Sequence, residues 1–343
     1  MSTANDRARG LMVGIAAGNL LGVPVEGRTK DDVRHRFPGG IHDITARPGY
    51  PDDDDLAQSL IIAEAAEEGP LDVEDLGHRF WEWGEVNGLG MGNLTSQVLA
   101  LFGGSPPRRL GRGTLDDVRQ PMGMAIEDAS REAWGGKSAG NGALMRCAPI
   151  AVRWRDDAVA LARNSIVSAV PTHWDRRCGW SCVALNVGIA AALRGETMDA
   201  DALIATSEET VLPSLPELSQ YGYEAGMPRS VRIAVAQAAS LGIDEVEFDG
   251  WNLGFTLLAL RAGLTSLWRA PDFEEGLRAV VEAGGDTDTN GAVAGAVLGA
   301  RFGIDAIPQR WRDRIAELRQ GRTPVEEYAD MLTAAREDES KRP

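Results

Sequence analysis

The segment 284–303, GGDTDTNGAVAGAVLGARFG, sets Asp286, Asp288 and Thr289 within four residues, ahead of a run of small apolar side chains. Carboxylates one residue apart with a neighbouring hydroxyl are hard oxygen donors, suited to a cation such as Ca2+ or Mg2+. Asp286, Asp288, Asn290 and Gly291 fit the start of a calcium-binding EF-hand loop. The closing bidentate glutamate of such a loop is missing, because Val297 stands there and residues 292–297 carry no side-chain oxygen. An EF-hand is therefore excluded. Two readings stay open for this segment alone: the acids and Thr289 cap a helix start, or they converge on a cation from a turn that Gly284 and Gly285 make free.

A second acidic segment, PDDDDLAQSLIIAEA, places Asp52, Asp53, Asp54 and Asp55 in succession before another helical pattern. Four adjacent carboxylates repel one another by more than a capping gain of about 0.3–1 kcal/mol per charge offsets. They ask for a cation. Two acid-headed helix starts could face each other and share one or two Mg2+ or similar ions. Two further stretches resemble a ligand cradle. KSAGNGALMRCAPI sets Ser138, Gly140, Asn141 and Gly142 ahead of a helix, where free N–H groups can hold a phosphate or ribose, although a plain turn has the same composition. PTHWDRRCGW places Thr172 and His173 just before the next helix, where a lone histidine is more often structural than catalytic.

The elements that must position these groups read as helices: 7–22, 56–68, 72–86, 142–152, 156–169, 176–194, 229–240, 251–267, 273–283 and 290–302. Alternating strand patterns are nearly absent, with only fragments such as IHDI left over. Glycines recur every fourth position at Gly14, Gly18 and Gly22, and at Gly291, Gly295, Gly299 and Gly303. Glycine inside a helix costs roughly 1 kcal/mol relative to alanine, so a regular series marks a face where another backbone comes close. No longer repeat and no linker-like tract divides the chain. The pattern predicts one all-α domain over 6–335, followed by a charged, disordered tail, REDESKRP, at 336–343.

Composition bounds the function. The chain has 343 residues, 43% of them hydrophobic, and a formal charge of −16 from 35 basic and 51 acidic side chains. No basic block exists to neutralise a nucleic-acid backbone. Cys147, Cys178 and Cys182 lack metal or redox spacing and read as core residues, and four scattered histidines contain no HExxH. The apolar stretch LMVGIAAGNLLGVPVEG follows Arg7 and Arg9, but Asn19 interrupts it, no cleavage site follows and the run reads as too short to span a bilayer. A cytoplasmic protein with no membrane partner is expected. The sequon at Asn93 and Thr95 is then a helix cap or loop.

Taken together and in this order, these segments resemble the ADP-ribosylglycohydrolase superfamily, with similarity running from about Gly10 to Trp311. GGDTDTNGAVAGAVLGARFG is similar to the family's GGDTDT signature, SAGNGALMRCAPI to its GNGxxMR motif, PTHWD to its TH motif and GIAAGNLLGVPVEG to its opening pattern. The resemblance implies an all-α fold, a single orthogonal helical-bundle domain, with two Mg2+ ions, Mn2+ being the alternative, in a cleft between helices. Matched residue by residue, Asp52, Asp53 and Asp54 stand at the ligands of the family's TDDT motif, and Asp286, Asp288 and Thr289 at those of GGDTDT. Ser138, Gly140, Asn141, Gly142 and His173 stand at the ADP-ribose cradle. Asp52 replaces a threonine, Asn19 replaces an aspartate, and four consecutive aspartates leave the TDDT register open by one residue.

The implied reaction is hydrolysis of the glycosidic bond between ADP-ribose and an acceptor on a protein, such as arginine or serine, or on a small molecule. Asp54 would take the proton of the attacking water, and Glu26, which matches the acid of the opening motif, would assist the leaving group or gate the cleft. Two alternatives stay open: a hydrolase of another ribosyl or nucleotide conjugate, and a non-catalytic ADP-ribose-binding or crystallin-like protein.

Overall fold

A computed structural model describes residues 2–46, 52–105, 123–248, 250 and 252–340. The fold is all-α. Among the described residues there is no strand, only two isolated antiparallel bridges, Arg28 with Gly285 and Gly140 with Phe255, and IHDI forms neither.

At the centre the N-terminal helix Ala4–Gly22 packs along the helix Thr287–Phe302. Both are buried on nearly all sides, so neither is amphipathic, and the apolar residues point in every direction. The two glycine series mesh: Gly10 faces Gly299, Gly14 faces Gly295 and Gly18 faces Gly291. A Cβ at Gly10 would lie 2.6 Å from the carbonyl oxygen of Gly299, and one at Gly14 or Gly18 would fall still deeper inside contact distance of its partner carbonyl. Only hydrogen atoms fit between these backbones. The opposed ladder ends where the Thr287 hydroxyl donates to the carbonyl oxygen of Gly22 at 2.8 Å, which clamps the acid-bearing end of one helix to the last turn of the other.

The N-terminal helix corrects one expectation. With the turn that follows it, it spans Ala4–Val25, long and apolar enough by length and composition to cross a bilayer, rather than too short. Its apolar faces are instead buried inside the protein, with 83% of the relevant window covered. Around this pair lie the helices Thr256–Arg269, Phe273–Glu282 and Val325–Ser340.

Each expected helix has a counterpart, with informative breaks, but Lys30–Arg36, Asn93–Phe102, Ile126–Glu132, Ala200–Val211, Leu215–Leu218, Gln309–Leu318 and Val325–Ser340 lie outside the expected set. The helices Arg176–Arg194 and Arg229–Ser240 start and stop as the sequence predicts. The expected helix 142–152 is two, Gly142–Met145 and Pro149–Trp154, because Pro149 has no N–H to continue the ladder. The buried Arg146 sits in that break. The helix expected from 251 starts at Thr256, after a turn in which Gly254 takes φ +75°. The tail expected to be disordered from 336 is helical as far as Ser340. Arg336 bonds Asp156, and Arg153 bonds Glu339 at 2.6 Å, so charges that look solvated in sequence anchor this helix to the bundle.

Candidate active site

Two loops bring the acids together. Gly27 donates to the carbonyl oxygen of Gly285 at 2.8 Å and Gly285 to that of Arg28 at 2.7 Å, tying the Glu26 loop to the Asp286 loop. This pairing needs glycine at 285, which has φ +82° and leaves no room for a Cβ against the carbonyl of Phe248. Across from it the helix Asp54–Glu68 begins, and Asn19 from the N-terminal helix reaches between the two, its amide 3.4 Å from Asp55 Oδ2.

The capping reading fails at both helix starts. Asp53 and Asp286 occupy the N-cap positions, and neither side chain makes a cap hydrogen bond of ordinary geometry. The carboxylates turn instead toward one another. One oxygen each from Asp53, Asp55 and Asp288 lie within 4.8 Å of one another, as do oxygens of Glu26, Asp286 and Asp288, so Asp288 belongs to both groups. Thr289 Oγ1 stands 3.5 Å from Asp55 Oδ2. Asp53 Oδ1 and Asp55 Oδ1 are buried with no hydrogen-bond partner. A buried, unpartnered carboxylate oxygen is costly unless a cation meets it, so the donor set fits hard divalent ions.

The titration behaviour has the same cause. Loss of hydration pushes the Asp53 carboxyl up to about 6, with the neighbouring acids adding to it and Asn19 opposing. Loss of hydration, then the charges of Asp53 and Asp286, push Asp54 up to about 7. Asp55 and Asp288 are driven well above the usual range, again chiefly by burial, and then Asp55 by the charges of Asp288 and Asp54, and Asp288 by Asp286 and Glu26. Glu26 is raised by desolvation of its carboxyl and by Asp286.

The four-aspartate run resolves in a way its composition does not reveal. Asp52, expected among the ligands, points away: its carboxylate lies 2.9 Å from Arg322 Nη1 and 3.4 Å from Arg319 Nη2, and Asn87 holds its carbonyl at 2.8 Å. Two guanidiniums on the C-terminal side of the chain hold that charge. Asp55, which was not among the expected ligands, takes the inner place, so the acidic group is Asp53, Asp54 and Asp55.

A pocket of about 400 Å³ opens beside the acids. Glu26, Asp54, Asp286, Asp288 and Thr289 line one wall, and Ser138, Gly140, Asn141, Gly142 and His173 another. Every expected cradle residue is present. Asn141 Nδ2 donates to Asp286 Oδ2 at 2.8 Å, and its backbone N–H donates to the carbonyl of Gly254 at 2.8 Å, joining the two walls. Asp54 rests against Gly90, where a side chain would collide with its carboxylate.

Sequence reasoning missed part of the lining. Asn93 and Thr95, read as a cap or loop, line the pocket at the start of the helix Asn93–Phe102, whose N-cap is Gly92. The glycine-rich stretch NGLGMGN ahead of it was the available signal. Trp134, Asn252, Leu253 and Phe255 complete the wall. Trp134 is 57% exposed and holds φ +47°, an uncommon backbone for a bulky residue, at the pocket rim. No Lys or Arg lines the pocket among the described residues.

The family model described as ADP-ribosylglycohydrolase matches residues 1–342. An ADP-ribosylarginine hydrolase, Tri1, of Pseudomonas putida is 25% identical over 327 residues, covering 91% of this chain and 75% of that protein. The ADP-ribosyl-dinitrogen reductase glycohydrolase of Rhodospirillum rubrum is 24% identical, covering 91% of each. An ADP-ribosylhydrolase, ARH3, of Danio rerio is 28% identical, covering 89% of this chain and 85% of its own length. A solved structure titled ADP-ribosylglycohydrolase-related protein complex superposes with a TM-score of 0.66 at 27% identity, covering 98% of this chain and 99% of that one.

Proposed function

The chain belongs to the ADP-ribosylglycohydrolase family, and from that premise we propose that it is a divalent-metal-dependent hydrolase of the glycosidic bond between ADP-ribose and an acceptor. The observation that carries this reading is the pair of carboxylate groups sharing Asp288 beside a pocket of neutral donors. Relatives named for ADP-ribosylarginine, ADP-ribosyl-dinitrogen reductase and ADP-ribosyl substrates support the ligand class.

Asp53, Asp55, Asp288 and Thr289, together with Asp286, would hold up to two ions, Mg2+ or Mn2+, whose chemistry there is Lewis-acid assistance to a water nucleophile. The chain's own groups account for the proton movements. Asp54 stands on the pocket wall outside both groups of clustered oxygens, and cations held beside it would favour its ionised form near neutral pH, which suits a general base. It takes a proton from water as the water oxygen bonds the anomeric carbon. The bond from that carbon to the acceptor breaks, its electron pair leaves with the acceptor, and Glu26, raised in pKa, supplies the acceptor's proton. Asn141 and the backbone of residues 138–142 hold the diphosphate and ribose.

Release of ADP-ribose from ADP-ribosyl-arginine and ADP-ribosyl-serine peptides, measured with Mg2+ and with EDTA, tests this. Metal-dependent release from at least one of them is expected; binding without turnover under every metal tried would overturn the enzymatic reading.

The placement of Asp52 carries its own test. Asp52→Asn is expected to leave turnover within about threefold of the parent, because its carboxylate does not reach the pocket, yet to lower stability by about 2 kcal/mol, because the buried Arg319 loses an anion. Thermal melting and the same release assay read both effects, and a collapse of activity with unchanged melting would return Asp52 to the metal site.

A further inference from the structure

Arg146 fills the break between the helices Gly142–Met145 and Pro149–Trp154, and none of its surface reaches solvent. Its Nη1 donates to Gln58 Oε1 at 2.6 Å, and its Nη2 donates to the carbonyl of Ser168 at 2.9 Å and to Thr172 Oγ1 at 2.7 Å. Its guanidinium carbon lies 4.1 Å from the centroid of the Phe80 ring. Every oxygen it bonds is neutral. A cation buried among neutral partners is an expensive feature, and the proposed chemistry has not used it.

What it does can be read from the next contact. Thr172 is fully buried, and its Oγ1 also lies 2.8 Å from His173 Nδ1. A guanidinium has donors and no acceptor, so the hydroxyl oxygen must accept from Arg146. A hydroxyl oxygen could accept a second bond, but among the described residues this fully buried hydroxyl has no acceptor other than Nδ1, so its proton points there and Nδ1 carries a lone pair. In a neutral imidazole the ring proton is therefore on Nε2. That edge faces the pocket: a Cβ on Gly140 would lie 3.1 Å from Nε2, and one on Gly142 would lie 2.9 Å from Cε1. Glycine at both positions leaves the edge bare. Burial, and then the charge of Arg146, hold the imidazole well below its ordinary pKa, so it stays neutral.

We infer that Arg146 and Thr172 are positioning residues that lock His173 as the neutral Nε2–H tautomer, giving the pocket a fixed hydrogen-bond donor for an oxygen of its ligand. The tautomer follows from hydrogen-bond bookkeeping alone; only the identity of the ligand rests on the proposed function. The facing wall carries Glu26, Asp54, Asp286 and Asp288, and in its other neutral tautomer the histidine would present a lone pair to an anionic diphosphate. The relay removes that state.

The test is nitrogen NMR of the ligand-free protein labelled with 15N-histidine, at pH 7. The signal missing in His173→Gln identifies the ring against those of His35, His42 and His78. The parent is expected to show protonated Nε2 and bare Nδ1, Thr172→Ser to keep that pattern, and Thr172→Val, similar in shape but without a hydroxyl, to give mixed tautomers. Calorimetric ADP-ribose affinity should fall about tenfold in Thr172→Val and stay within about twofold in Thr172→Ser, the scale of one hydrogen bond. Protonated Nδ1 or an imidazolium in the parent, or an unchanged ring pattern in Thr172→Val, overturns the inference. If the parent takes up no ADP-ribose, the functional reading falls, and the ring signals still decide this one.

Discussion

Asp288→Asn is expected to abolish metal-dependent turnover while making the metal-free protein more stable. Asp288 is the one carboxylate common to both acidic groups, so replacing it weakens every arrangement in which a cation could be held. A loss of about a thousandfold in kcat/KM, or ~4 kcal/mol of transition-state stabilisation, is the expected scale. The gain in stability has the opposite origin. Asp288 is buried, and its carboxyl is driven well above the usual range by burial and by Asp286, so its ionised form opposes folding. An amide of nearly the same shape removes that charge. In EDTA at pH 8 the variant should melt above the parent, by on the order of 2 kcal/mol in free energy.

The pH dependence gives the sign an independent check. An ordinary aspartate ionises near 3.9 in an unfolded chain, whereas Asp53 is pushed up to about 6 and Asp54 up to about 7 in the folded protein. Below about pH 4 these groups are protonated in both states and cost nothing. As pH rises from about 4 toward 7 the unfolded chain gives up its protons first, so the cluster's contribution to stability is lost through that window. In EDTA the parent should therefore melt lower at pH 8 than at pH 6. Mg2+ should raise the melting temperature more at pH 8, where the ligands are free of protons. A melting temperature that climbs from pH 6 to pH 8 without metal, or an Asp288→Asn protein that is less stable than the parent in EDTA, contradicts this account of the cluster.

What could be read in advance divides along a physical line. The glycine series, the acid-headed helix starts and the SAGNGA cradle are local patterns whose chemistry belongs to the residues themselves; the structure brings the acids and the cradle to one pocket and meshes the two glycine series with each other in the core. The register of Asp52–Asp55 is not local. Nothing within PDDDD separates its first residue from its last; Arg319 and Arg322 do so by holding Asp52, and they come from near the other end of the chain. The helices Gln309–Leu318 and Val325–Ser340 give weak sequence signals for a related reason. The first buries only Trp311, Ile315 and Leu318 among charged neighbours, and the last part of the second is held by ion pairs to Arg153 and Asp156. Pocket lining by Asn93 and Thr95 depends on which way their helix points, which the triplet alone cannot encode.

The central glycines make the last prediction, because they connect the core to the chemistry. Gly18→Ala places one methyl group far inside contact distance of the Gly291 carbonyl, midway along the meshed helices, where the obstacle is backbone rather than a movable side chain. Helix propensity alone would favour alanine by about 1 kcal/mol, so any loss measures the packing directly. Overpacking at such a site costs about 1–3 kcal/mol and often more against backbone, and the upper end is expected here. Gly10→Ala, near the open end of the pair at 2.6 Å, should cost less. The distinguishing consequence is functional: the helix forced away from Gly18 is the one that begins with Thr287, Asp288 and Thr289, clamped by the Thr287 hydroxyl to Gly22. Gly18→Ala should therefore weaken Mg2+ binding several-fold in the molecules that remain folded, whereas Gly10→Ala should melt earlier with metal affinity nearly unchanged. Melting curves with a Mg2+ titration read both quantities on the same samples. Equal metal affinity in the two variants would show that the ligands are placed by their own loops and not by the glycine face.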